Sequence, residues 1–269
     1  MKMIELNRIY NEDCLEGMKR IPDGSVDCII CDLPYEVLHK NNPHAQWDRL
    51  LPFDKLWEQY ERVIKKDGAI ILFAQGMFTA KLMMSNSKLW RYNLIWDKQR
   101  VTGFLNANRM PMRCHEDICV FYKTLPTYNP QYFKGEPNHP QGKGKHKQTN
   151  RCYGKYGNDY KGRTYESVPR VESTVPEGMK LPRSIVPIKK EHESTVLHPT
   201  QKPVALLEYL IKTYTNEGET ILDNCMGSGT TAIAAIRTKR NFIGFELQKE
   251  YFDMAEKRIK DERRQLTLF

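Results

Sequence analysis

The stretch "VDCIICDLPYEV", residues 26 to 37, limits the folds open to this chain more than any other. Val26, Cys28, Ile29, Ile30 and Cys31 form an apolar run of strand length, the pattern of a strand covered on both faces. Such strands belong to parallel sheets, where crossover helices supply both covers. The run stops on Asp32, followed by Leu33, the rigid Pro34 and Tyr35. A core strand therefore carries a carboxylate and an aromatic ring to its carboxyl end.

The neighbouring segments fit the same class. "RIYNED" reads as a short strand, "CLEGMKRI" as a helix, and "FDKLWEQYERVIKK" as a helix with Leu56, Tyr60, Val63 and Ile64 on one face. "DGAIILFA" is a turn and a buried strand, "MFTAKLMMSNS" a helix, and "WRYNLIWDK" and "EDICVFYK" strands. After residue 198 the alternation resumes: a helix beyond Pro203, the strand "ETILDNC", a glycine turn into the helix "GSGTTAIAAIRTKR", the strand "NFIGFEL" and a closing amphipathic helix. This order predicts an α/β fold with a largely parallel sheet and helices on both faces. Residues 124–197 interrupt it with dense Pro and Gly and no periodicity, which marks an inserted functional module.

Composition excludes several classes. In 269 residues no stretch approaches the roughly 18 apolar residues of a membrane span, and the opening "MKMIELNRIYNEDC" has no signal-peptide core, so a cytoplasmic protein is expected. The seven cysteines are scattered and suit a reducing compartment. Cys28 and Cys31 form a CxxC, but residues three apart on a strand face opposite ways and no second ligand pair follows; they read as core residues, and no metal is expected. The net charge of +9 points weakly to a polyanion. Its placement says more: Lys143, Lys145, Lys147, Arg151, Lys155, Lys161 and Arg163 crowd the insert, interleaved with tyrosines. A solvated linker is the plain alternative for that segment.

Two motifs carry chemistry. In "TILDNCMGSGTTAIAA", Gly227 and Gly229 allow a sharp turn between strand and helix, and no lysine follows as a phosphate loop requires. Glu246 ends the next strand, where an acid can bind ribose hydroxyls. A packing turn with a surface Glu would look the same. At "DLPY", a carboxylate beside a proline-fixed loop suits a ring-conjugated amine: Asp32 accepts one N–H, the Leu33 carbonyl the other, and Tyr35 stacks on the ring. His115 and Glu116 read as structural or hinge residues beside their strand.

Taken together, "NEDCLEGMKRIPDGSVDCIICDLPY", "HPTQKP", "ILDNCMGSGTT" and "FIGFELQKEYFDMAEKRI" resemble, in the expected order, the motifs of amino-methylating DNA methyltransferases of the group whose DPPY-type motif precedes the Gly-rich motif. The resemblance covers nearly all of the chain outside the insert. It implies a Rossmann-like methyltransferase sheet of seven strands, one antiparallel, in circularly permuted order. Residues 1–123 would form the catalytic half, 124–197 the target-recognition region and 198–264 the cofactor half. It further implies S-adenosyl-L-methionine as cofactor, held by Asp13, Asp32, Thr200, Lys202, Asp223, Gly227, Ser228, Gly229, Thr230 and Glu246, and base binding and catalysis by Asp32, Leu33, Pro34 and Tyr35. The substrate expected is double-stranded DNA with the target base flipped out, adenine at N6 before cytosine at N4 because Asp rather than Ser opens the tetrapeptide. An inactive DNA-binding regulator on the same fold is the rival of another class. Leu33 stands where the first proline is usual, and Asn224-Cys225-Met226 where Pro-Phe-Ala is usual.

In residues 265–269, Gln265, Leu266, Leu268 and Phe269 of "QLTLF" resemble the QLxLF peptide that docks bacterial DNA-processing proteins on the replication sliding clamp. A tail folded back onto the body is the alternative.

Overall fold

The computed structural model describes residues 4–35, 48–135, 175–176, 178–190 and 201–266. Its strands and helices run β1 (Arg8–Tyr10), α1 (Cys14–Met18), β2 (Val26–Cys31), α2 (Phe53–Val63), β3 (Ile64–Ala74), α3 (Met77–Ser85), β4 (Trp90–Thr102) and β5 (Arg113–Phe121). They continue with β6 (Phe133–Lys134), β7 (Met179–Lys180), β8 (Ile185–Pro187), α4 (Val204–Tyr214), β9 (Thr220–Asp223), α5 (Thr230–Arg237), β10 (Asn241–Phe245) and α6 (Lys249–Leu266). The chain divides into two compact units. In the smaller, residues 132–182, β6 and β7 pair antiparallel. The larger, residues 1–131 and 183–269, holds everything else.

The large unit is built on one sheet in the order β1-β10-β9-β2-β3-β5-β4-β8. Every pairing is parallel except the two made by β5. The expected parallel α/β sheet with one reversed strand is therefore present, with eight strands where seven were expected. The eighth is β8, which lies within the stretch read from sequence as insert. The long edge strand β4 leaves backbone groups open, and β8 satisfies them at Ile95↔Ile185 through Asp97↔Pro187, helped by Trp96 Nε1 donating to the Ile188 carbonyl at 2.7 Å.

Side-chain alternation sorts the core into two layers. Cys28 and Ile30 of β2 face α4, α5 and α6, whereas Val26, Ile29 and Cys31 face α1, α2 and α3. The CxxC cysteines thus lie on opposite sides of the sheet, both free, as the period of a strand requires. No group of His, Cys, Asp or Glu able to hold a metal exists among the described residues, and no described helix is long and apolar enough to cross a membrane. The helix expected to run through Lys66 stops at Val63. Ile64 already pairs with Val26, so sheet pairing claims the segment and the irregular register up to Cys28↔Ala69 takes up Lys65–Gly68.

The order of the sheet positions the site. β2 and β9 are neighbours, at Cys28↔Ile221 and Ile29↔Leu222, but their chains continue in opposite directions: β2 leads through α2 to β3 on one side, β9 through α5 to β10 on the other. The loops leaving the two carboxyl ends diverge and open a crevice, the place where doubly wound sheets bind ligands. The turn after β9 depends on Gly227 and Gly229, with φ of 54° and 84°. Gly229 caps α5, and a Cβ there would stand 2.9 Å from the Cβ of Ala255 on α6, whereas at Gly227 nothing lies within 4 Å. Gly229→Ala should accordingly cost about 2–3 kcal/mol and Gly227→Ala about 1 kcal/mol, read from denaturant midpoints. Equal losses would mean that helix contact plays no part.

Candidate active site

A cavity of about 480 Å³ opens at this crevice, lined from one side by Asp32 and Pro34 and from the other by the turn after β9. Asp32 sits directly after β2. Its Oδ1 accepts the Tyr35 hydroxyl at 2.6 Å, and its Oδ2 lies 2.5 Å from the Lys202 ammonium. Tyr35 is fixed in turn: its backbone N–H donates to Asp48 Oδ1 at 2.8 Å, and its ring stacks on Phe78 at 4.6 Å between centroids. Burial raises the pKa of Asp32, Lys202 opposes that effect, and the charge of Glu116 adds to it. Burial disfavours charge on Lys202, but Asp32 and Glu116 outweigh it and hold the ammonium above its ordinary pKa.

Glu116 was not expected here. It reaches from β5 to Lys202 at 3.3 Å, and its other oxygen meets Lys98 of β4 at 3.2 Å. Against the cost of burial, the two lysines lower its pKa. The sequence reading of His115-Glu116 as a hinge or structural pair gave no hint of this contact. His115 is exposed; Glu116 belongs to a buried charge chain at the site. One signal for Lys98 existed: it follows Trp96 at strand period, on the covered face of β4.

The glycine turn organises the other half. Asp223 accepts the Thr231 hydroxyl at 2.5 Å and the Cys225 N–H at 3.0 Å, which ties the end of β9 to its own turn and helix. Glu246, after β10, accepts the Gly227 N–H at 2.7 Å and the Gln248 N–H at 2.8 Å, so it joins two adjacent turns. Ser228 donates to Gln201 at 2.9 Å, and Arg258 of α6 donates to the Ser228 carbonyl at 2.6 Å. Asp13 caps α1, accepting from the Leu15 and Glu16 N–H groups at 2.9 and 3.2 Å.

Of the residues singled out from sequence, Asp13, Asp32, Pro34, Lys202, Asp223, Gly227, Ser228, Thr230 and Glu246 line the one cavity. Leu33 is buried in the core layer beneath it, Tyr35 packs beside that layer, and Gly229 caps its helix. Thr200 and the basic residues from Lys143 to Arg163 lie outside the described residues, as do Leu268, Phe269 and the side chain of Leu266; Gln265 is exposed on α6.

Residues 26–257 match a family model of N6/N4 methyltransferases described as DNA methylase. The chain belongs to this family. As a DNA methylase it is an amino-methyltransferase of the group acting at adenine N6 or cytosine N4. It is 30% identical over 267 residues to the Type II methyltransferase M.BglII of Bacillus subtilis, covering 93% of this chain and 68% of that one. M.HinfI of Haemophilus influenzae is 27% identical, covering 95% and 69%. Among solved structures, the M1.HpyAVI–SAM complex superposes with a TM-score of 0.60 at 23% identity, covering 94% and 98%. The cytosine-N4-specific PvuII DNA methyltransferase gives 0.63 at 15%, covering 98% and 93%. The two solved structures share this fold over 94% and 98% of the chain.

Asp223 offers a test of the site's electrostatics. Burial pushes its pKa from 3.8 up to about 6. The folded methylase then binds a proton more tightly than the unfolded chain, so stability is greatest below about pH 4 and falls as pH rises to about 6, by ~3 kcal/mol from this group. Asp223→Asn keeps the Cys225 contact through its amide oxygen and carries no such slope. Urea unfolding of both proteins between pH 4 and pH 7 should show their stability difference changing by about 2.4 kcal/mol; a constant difference would contradict the burial.

Proposed function

We propose that this chain transfers a methyl group from S-adenosylmethionine to the N6 amine of an adenine flipped out of duplex DNA. The observation that carries the reading is Asp32: a carboxylate at the end of a central strand, opening on the cavity, with one contact on each oxygen. Each carboxylate oxygen has two lone pairs, so Tyr35 and Lys202 leave one acceptor position on each. Asp32 accepts one amine N–H and the Leu33 carbonyl the other, which leaves the nitrogen lone pair directed out of the ring plane. Tyr35, backed by Phe78, gives the base a fixed stacking platform. Pro34 limits the loop, so the two acceptors keep their spacing.

The cavity suits the proposed cofactor by size and by charge. Its volume falls in the range of small-molecule sites, and its lining sets Glu12, Asp13, Asp32, Asp223 and Glu246 against Arg49 and Lys202. An acidic pocket without a phosphate cradle fits a molecule that carries a sulfonium, an amino group and a ribose. When bound, S-adenosylmethionine supplies an electrophilic methyl group. Glu246 and Asp13 would hold its polar groups, and Gly227 lets the backbone approach it closely. M1.HpyAVI, of the same fold, has been solved as a SAM complex. The fold itself is shared with a cytosine-N4-specific enzyme, so the choice of adenine rests on Asp32 alone.

Purified protein incubated with S-adenosylmethionine and unmethylated bacterial DNA should yield N6-methyladenine by nucleoside mass spectrometry. Asp32→Ala should lose all detectable transfer and keep most of its cofactor binding. N4-methylcytosine would replace the base in this reading, and full activity of the variant would remove Asp32 from it.

We also propose that the basic insert tracks DNA phosphates, because Lys143, Lys145, Lys147, Arg151, Lys155, Lys161 and Arg163 fall within a short tyrosine-rich stretch. Reversing Lys143, Lys145 and Lys147 to Glu should weaken DNA binding and flatten its salt dependence without moving the methylated site. A changed site would instead assign these lysines to base reading.

A further inference from the structure

Lys98 and Lys202 are 3% and 8% exposed, and both ammonium groups rest on Glu116. With Asp32 they make a chain of alternating charge drawn from four separate pieces of the fold: the end of β2, the approach to α4, β5 and β4. Buried ions of this kind stabilise a fold no better than apolar side chains of similar volume. Packing alone therefore does not account for the chain.

Its contacts are unequal. Lys202 lies 2.5 Å from Asp32 and 3.3 Å from Glu116 Oε2, an oxygen that is buried and makes no hydrogen bond. The ammonium also sits 5.1 Å from the centroid of Phe73, which bounds its movement. Lys202 is thus committed to Asp32, while Glu116 acts on it through charge.

We propose that Glu116 is a positioning residue for methyl transfer: through Lys202 it keeps Asp32 a strong acceptor for the target amine, and Lys98 is its counter-ion. This rests on the reading of Asp32 given above. In the reaction the amine gains a methyl group and gives up one proton, so positive charge stands on nitrogen in between. Lys202 alone would cancel the carboxylate charge beside that nitrogen. Glu116, behind Lys202, brings the sum of these three groups to one negative charge, which favours a cationic amine beside Asp32. Lys98 neutralises the far side of Glu116 and lets it stay ionised while buried.

The titratable groups facing Asp32 are Tyr35 from its own loop, Cys31 of β2, Asp223 of β9, Glu116 of β5 and Lys202. Burial raises the pKa of Asp32 and Lys202 lowers it; Glu116 pushes it upward again. Removing Glu116 should leave Asp32 more readily ionised and a weaker acceptor.

The test uses two Glu116 variants, with Asp32→Asn and Asp32→Ala as references. Glu116→Gln strands Lys98, so it is paired with Lys98→Met/Glu116→Gln, which removes the whole outer pair and leaves Asp32 with Lys202. Single-turnover transfer to duplex DNA is measured against pH, with thermal midpoint and cofactor affinity as controls. Asp32 ionisation is followed without cofactor in the infrared carboxylate band, taken as the difference from Asp32→Asn. Both Glu116 variants should be about tenfold slower on the plateau, with the acid limb and the infrared midpoint moved to lower pH. Should Glu116→Gln fail to fold, the double variant carries the test. A double variant with wild-type rate and unmoved midpoint would make Glu116 only the counter-ion of Lys98 and overturn the proposal. Asp32→Ala separates the two readings: if it stays active, the role of Asp32 falls first, and if it is dead while the double variant is normal, this proposal falls alone.

Discussion

The site depends on β2 and β9 lying side by side, although about 190 residues separate them in the chain. Their parallel pairing ends both strands at the same edge, so Asp32 and the turn from Asn224 to Gly229 face one cavity. Neither half makes a site alone. The first supplies a carboxylate and a stacked tyrosine; the second supplies a glycine turn whose hydrogen bonds to Asp223 and Glu246 are internal. Only the divergence of the two connections gives them a common space.

The electrostatics of that space follow from burial. Lys98 and Lys202 are buried, Asp32 and Glu116 are largely so, and each is held by its neighbours of opposite sign. The arrangement is neutral overall but not locally. Asp32 and Lys202 both line the cavity, whereas Glu116 and Lys98 stand behind them. An interior that spends ion pairs in this way is better suited to a reaction that moves positive charge than to stability alone.

Much of the fold was legible in the sequence because its signals are local. The apolar run ending at Cys31 named a doubly covered strand, and the spacing of Leu56, Tyr60 and Val63 named the buried face of α2. The opposite facing of Cys28 and Cys31 followed from strand period alone. What escaped was set by pairing between distant segments. The end of α2 at Val63 was decided by the sheet partner of Ile64, and β8 became a strand because β4 offered it an edge. The same limit applies at the site. "DLPY" and the glycine turn could be read from their chemistry, whereas the contact of Asp32 with Lys202, 170 residues away, could not. Glu116 and Lys98 carry no motif at all; their meaning lies in burial and in which charges surround them.

A structure of the protein with duplex DNA and an unreactive analogue of S-adenosylmethionine would test the central claim most directly. The account predicts an adenine turned out of the helix, its N6 roughly 3 Å from both Asp32 and the Leu33 carbonyl, with the analogue in the cavity between Asp32 and Glu246. An adenine left in the stack, or a flipped base held away from Asp32, would contradict it.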